Sequence, residues 1–235
     1  MAIGYVGADI DEASSGASSQ TINTLTIPAG TPNGSLAVVF LVANEPTSGL
    51  VVPSGMSVVQ GVVTTTGVGT AMESRCWTKP VGSADAGTTL TFTDGVNGSR
   101  KSIAALVVLS GADSLSKGAG AALTGQSGSR TTPQLTGAAN GCGLVELVAD
   151  RVASNTGDWQ ISSGMTQAGA QSNVDALLST AVAYKLGVSG NVGAHTYTKT
   201  VTAPQAHVWS VAIAPSASAS SGHLVIQTLI DGTWQ

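Results

Sequence analysis

Thr88-Thr89-Leu90-Thr91-Phe92-Thr93 alternates threonine with large apolar side chains, and this period of two decides the fold class. Successive side chains of an extended chain point to opposite faces, so Leu90 and Phe92 share one face. β-branched threonine suits a half-buried pleated surface. Thr196–Val201 repeats the idea, with Tyr197, Lys199 and Val201 on one face and threonines on the other. Thr21–Pro28 sets Ile22, Leu25 and Ile27 among polar residues. Three further runs, Leu36–Ala43, Ile103–Leu109 and Val208–Ala214, are continuously apolar. Such runs read as central strands buried on both sides. Helical spacing is nearly absent, because Gly, Thr, Ser and Val interrupt every candidate window.

Turn residues punctuate these strands: Pro32-Asn33-Gly34, Pro53-Ser54-Gly55, Asp94-Gly95, Asn97-Gly98, Asn140-Gly141 and Gly190-Asn191. Gly and Asn supply the positive φ that tight hairpins need. Many short strands with regular turns predict an all-β sandwich. A weak internal repeat runs through the chain at a spacing of roughly 105–109 residues. Ser54-Gly55-Met56 recurs as Ser163-Gly164-Met165, and Asn33-Gly34 recurs as Asn140-Gly141. Trp77-Thr78-Lys79 matches Ala183-Tyr184-Lys185, Gly87 matches Gly193, and Leu106–Ser110 matches Ser210–Ala214. The pseudo-repeats span roughly 20–113 and 130–215. Ser114–Thr132, rich in Gly, Ser and Ala, reads as a possible linker between them. Two tandem sandwiches and one sandwich of two halves both fit. Neither half carries enough large apolar residues for a core of its own, which favours a single sandwich over 1–215.

The chain has 235 residues, of which only 9% are charged against roughly 25% in an average soluble domain. Its 42% hydrophobic content is too high for a disordered tail, and Glu, Lys, Leu and Arg are too scarce for a helical bundle. A pI of about 5.1 with nine Lys plus Arg argues against nucleic-acid binding. The opening has no basic n-region and no long apolar stretch, so no signal peptide is expected. No apolar run approaches a membrane span, so no membrane insertion is expected. Cys76 and Cys142 form no disulfide framework and read as free, buried thiols.

No metal-ligand pair, phosphate loop or nucleophile elbow is found, so no catalytic, cofactor or metal residue is assigned. His195, His207 and His223 do not cluster with carboxylates at ligand spacing. Asp9, Asp11 and Glu12 are dense but lack a calcium-loop pattern. The sequons at Asn33 and Asn97 read as hairpin turns. Trp77 and Trp209 fall in predicted strands and read as core. Trp159, in the polar segment Thr156-Gly157-Asp158-Trp159-Gln160, is the candidate exposed recognition aromatic.

Residues 216–222 form a Ser/Ala linker. It leads to a β-prone segment, residues 223–235, with Leu224, Ile226, Leu229, Ile230 and Trp234 as the apolar side chains of an expected assembly arm. An isolated apolar strand has unpaired backbone groups, so strand addition to a neighbour is expected.

The opening Met1-Ala2-Ile3-Gly4-Tyr5-Val6-Gly7-Ala8 resembles the start of small virion proteins of tailed bacteriophages. The resemblance continues through Leu25-Thr26-Ile27-Pro28, the strand Gly34–Ala43 and Val52-Pro53-Ser54-Gly55-Met56. It includes Trp77-Thr78-Lys79, Thr89–Thr93, Ala105–Gly111 and Trp209–Pro215. Met56 and Leu109 stand where that family carries aromatics. The resemblance implies a jelly-roll-like sandwich without catalysis: a capsid-decoration or minor tail protein found on the virion after synthesis in the host bacterial cytoplasm. Its implied partners are other virion proteins and copies of itself. The alternative is an adhesion module that binds a host surface glycan.

Overall fold

The computed structural model describes residues 1–13, 21–45, 47, 49–66, 71–94, 101–152, 158–173 and 177–217. Along these lie β1 (Gly4–Ala13), β2 (Thr21–Thr26), β3 (Ser35–Ala43), β4 (Leu50–Val51), β5 (Ser57–Val58), β6 (Val63–Thr65) and β7 (Met72–Val81). There follow β8 (Thr89–Asp94), β9 (Ser102–Ser110), β10 (Ala112–Thr131), β11 (Gln134–Asp150), β12 (Thr166–Asn173), β13 (Leu178–Gly193) and β14 (Thr196–Pro215). The fold is an all-β sandwich of antiparallel sheets.

The run Leu36–Ala43 shows why alternation is hidden in the sequence. Leu36, Val38, Phe40 and Val42 of β3 point into a core shared with the second half of the chain. Ala37, Val39 and Leu41 point the other way, against Leu25, Leu90 and Phe92. β9 divides likewise, with Ile103, Ala105, Val107 and Leu109 on one face and Ala104, Leu106 and Val108 on the other. Two-sided burial makes both parities apolar.

The first large sheet has the order β1-β9-β3-β7-β5, with β6 also on β7. The second has the order β10-β14-β11-β13-β12. Both place corresponding strands in the same order, and the registers agree. Val39 pairs with Leu106 and Trp77, and Glu146 pairs with Ser210 and Ala183. Positive-φ glycines recur in step: Gly34 and Gly141, Gly55 and Gly164, Gly87 and Gly193. A small sheet, β2-β8-β4, covers the outer face of the first large sheet. Its counterpart is made by the pairs Ser129↔Thr198 and Arg130↔Tyr197 and by the bridge Gln160↔Thr198. In the second half, β10 and β14 each run 20 residues and serve both sheets. Register shifts between Thr124 and Ser129 mark where β10 passes from one layer to the other.

The expected linker Ser114–Thr132 is therefore nearly all strand. Its small side chains have a packing reason. A Cβ on Gly120 would sit 2.7 Å from the Trp209 ring, and one on Gly118 would meet Val59. The Asn33-Gly34 turn is present, with Ser35 N–H donating to Pro32 O at 3.2 Å. Asn97-Gly98 lies outside the described residues.

The large sheets pack face to face about the shared core. At one side β1 lies by β12: Asn173 Nδ2 donates to Ala13 O at 3.0 Å, and Tyr5 stacks on Tyr184 at 4.2 Å. At the other side β10 lies by the β5–β6 connection, where Gly120 N–H donates to Gln60 Oε1 at 2.7 Å. Since β10 corresponds to β1 and β12 to β5, each half offers the other the same surface. This is the self-complementary pattern of a twofold dimer, within one chain. Cys76 and Cys142 are both buried and free.

Polar contacts cross this core at Ser74. Ser74 Oγ, on β7, accepts from Trp209 Nε1 at 2.8 Å and lies 2.9 Å from His207 Nδ1. His207 is fully buried, its Nε2 has no hydrogen-bond partner, and burial lowers its pKa to about 4. The unfolded chain therefore binds the proton more readily than the folded one between about pH 6.5 and 4. Stability from this group is complete above pH 6.5 and falls as the pH drops through that window, by about 3 kcal/mol at most. Thermal unfolding from pH 7.5 to 4 should show this loss, and His207→Gln should flatten that part of the profile. An unchanged slope in the variant would refute the assignment.

Candidate functional site

The two halves differ most in the layer between each large sheet and its small cover. In the first half this layer is apolar: Leu25, Val39, Leu90, Phe92 and Leu106 meet there. The registers place Thr132, Glu146, His195, Tyr197 and Ser210 at the same positions in the second half. They converge on one carboxylate.

Glu146, central in β11, is fully buried. Its Oε1 accepts from Thr132 Oγ1 at 2.7 Å and lies 2.9 Å from Ser210 Oγ. Its Oε2 accepts from Tyr197 O–H at 2.7 Å and lies 3.0 Å from His195 Nδ1. Burial and the adjacent carboxylate push the Tyr197 hydroxyl far above the usual phenol range, so it remains a donor. His195 is the member that reaches solvent, with its side chain 20% exposed.

The backbone around His195 is held closely. Thr132 N–H donates to His195 O at 3.0 Å, and His195 N–H donates to Thr132 Oγ1 at 3.2 Å. Ala194 has φ 57, uncommon for a residue with a Cβ. Gly193 has φ +88, and a Cβ there would lie 2.3 Å from Pro133 O. A carboxylate that orients one imidazole nitrogen leaves the other for a proton or a ligand. Among the described residues, no group of three or more His, Cys, Asp and Glu is placed to hold a metal ion.

A second charged group lies at the end of β11. Asp150 Oδ1 accepts from Arg130 Nε at 2.8 Å, and Lys199 Nζ lies 3.0 Å from Asp150 Oδ2. Arg130 Nη2 also donates to Ala203 O at 2.6 Å. Burial raises the Asp150 pKa against the opposing pull of Lys199 and Arg130, and burial lowers that of Lys199 against Asp150. In the first half Glu73 is also buried, and it accepts from Thr47 and from Arg75 Nε at 2.6 Å.

Trp159 requires a correction. It is 4% exposed and packs among Val148, Ala183, Tyr197 and Val208. Its Nε1 donates to Ser179 Oγ at 2.7 Å, so it is not an exposed recognition aromatic. The repeat gives the physical reason. Trp77 fills the first half from β7, 5.7 Å from Phe92, but its counterpart is Ala183. Trp159, at the position of Leu50, fills the same layer from the opposite wall. A large-small pair is exchanged for a small-large pair. Leu224, Ile226, Leu229, Ile230 and Trp234 lie outside the described residues.

Sequence reading missed the Glu146 and Asp150 groups. The available signal was a carboxylate at alternate positions of an apolar strand, Leu144-Val145-Glu146-Leu147-Val148-Ala149-Asp150. Comparison with protein-family models and with curated proteins gives no match.

Two predictions follow from burial. Glu146→Val, which copies the first half, should cost roughly 2–4 kcal/mol because it strands several donors at once. Adding Tyr197→Phe and Ser210→Leu should recover part of that loss in chemical denaturation; a purely additive loss would contradict the network. Trp159→Ala should cost roughly 3–5 kcal/mol. A calorimetric midpoint equal to that of the unmodified chain would contradict its core position.

Proposed function

We propose that the chain is a non-enzymatic structural subunit of a tailed-phage virion, decorating head or tail through contacts between subunits. The observation that carries this reading is an open apolar cleft of about 540 Å³ where the described chain ends. Met1, Ile3, Leu186 and Pro215 line it, and Met1 is 75% exposed. The chain is clamped beside it: Ser216 N–H donates to Gly111 O at 2.8 Å, and the Met1 ammonium donates to Ser216 O at 3.0 Å.

Residues 223–235, with Leu224, Ile226, Leu229, Ile230 and Trp234, follow a linker that spans about 15 Å on average. They are the arm that reaches a neighbouring copy. Burial of each Leu or Ile contributes roughly 1.5–3 kcal/mol before ordering costs. The strand orders β1-β9-β3-β7 and β2-β8-β4, both in the first half, support a jelly-roll-like reading of the sandwich. A glycan-binding role has lost Trp159 as its aromatic platform.

Light scattering of the full chain beside a chain ending at Ala217 tests the proposal. The full chain should self-associate in a concentration-dependent way. The shortened chain should keep its thermal midpoint and remain monomeric, as should Ile226→Asp/Leu229→Asp. A full chain that stays monomeric and binds no particle overturns the reading.

A further inference from the structure

We propose that Lys199 and Asp150 join within the folded chain through a side-chain amide between Nζ and Cγ. The two groups meet at 3.0 Å, and both side chains are fully buried. The contact lacks hydrogen-bond alignment: neither Lys199 Nζ nor Asp150 Oδ2 has a hydrogen-bond partner. It is a close approach of an amine to a carboxyl group. The ring of Trp159 lies 4.9 Å from Nζ and shields that side from water.

Burial, not charge balance, favours the reactive forms. Moving the proton from Lys199 to Asp150 leaves the net charge of the Arg130–Lys199–Asp150 group unchanged, since the guanidinium keeps its proton, and removes two buried charges at once. Burial moves both partners the same way, raising the Asp150 pKa and lowering that of Lys199. A neutral amine beside a neutral carboxylic acid is the nucleophile–electrophile pair that amide formation needs.

The step balances without a co-reactant. The Nζ lone pair attacks Cγ, the new N–C bond forms, and the Cγ–Oδ2 bond breaks. Oδ2 leaves as water, with the proton of the acid and one proton from the amine. Negative charge that develops on Oδ1 meets the Arg130 Nε–H, already 2.8 Å away. Arg130 is fixed by Ala203 O at 2.6 Å and Gly125 O at 3.4 Å, so the donor is in place beforehand. β11 and β14 hold the reactants together, which replaces an encounter in solution by contact. At the corresponding positions the first half carries Ala43 and Asp94, a pair that cannot condense.

The intact mass of the unmodified full chain, measured after denaturation, decides the matter. It should fall short of the sequence mass by one water. Trypsin should yield residues 131–151 linked to 186–235, because cleavage after Lys199 is blocked. Lys199→Arg should restore the full sequence mass. A wild-type chain at full mass with a free peptide ending at Lys199 overturns the proposal, as does a water loss that persists in Lys199→Arg. The wild-type measurement stands even if the variant is insoluble.

Discussion

The packing of a six-stranded sheet on a five-stranded one, through Phe40, Val107, Leu147 and Trp209, is the contact on which the structure depends. Each large sheet is already covered on its outer side, so its inner side must find a second apolar surface. The other half supplies it. Small covering sheets alone leave Val38, Val107 and Val211 without partners. Apolar area removed from water at this seam is the largest favourable contribution available to a chain with so few charges. Strand order, edge contacts and the crossing hydrogen bonds of Ser74 all follow from that pairing.

The outer layers solve the same geometric problem in two ways. In the first half, Val39, Phe92 and Leu106 close the space with hydrocarbon. In the second, Glu146 closes it with a carboxylate surrounded by donors. A buried charge is tolerable only when its lone pairs are met, and here four side chains meet them. The Asp150 group follows the same rule less completely, because Lys199 approaches its carboxylate without alignment. Identical registers therefore carry unlike interiors.

Much of the framework was legible along the chain, because it rests on local signals. The Asn33-Gly34 turn, the Thr-alternating strands and the apolar runs each announce themselves within a few residues, whereas Asn140-Gly141 and Gly190-Asn191, expected as turns, fall inside β11 and β13. The repeat was visible through Ser-Gly-Met, whose glycines keep a positive φ in both halves. Less legible was anything that depends on register across the whole repeat. Trp159 sits among polar neighbours in sequence, and only its relation to Ala183 explains its burial. The glycines of β10 suggested a connector, whereas they make room for Trp209 and Val59. Glu146 and His195 stand far apart in the chain, and no local pattern joins them.

The twofold relation between the halves has a consequence for how this protein can change. In an association of identical chains, every substitution arrives twice, once on each side of the axis. A carboxylate introduced into one outer layer would then appear in both, and each copy would need its own set of donors at once. Fusing the partners into one chain removes that constraint. Here Glu146 stands where the first half has Val39, and Trp159 where it has Leu50. Covalent tandem arrangement lets one lobe hold a hydrocarbon interior while its twin holds buried charge, with no second copy of either substitution required.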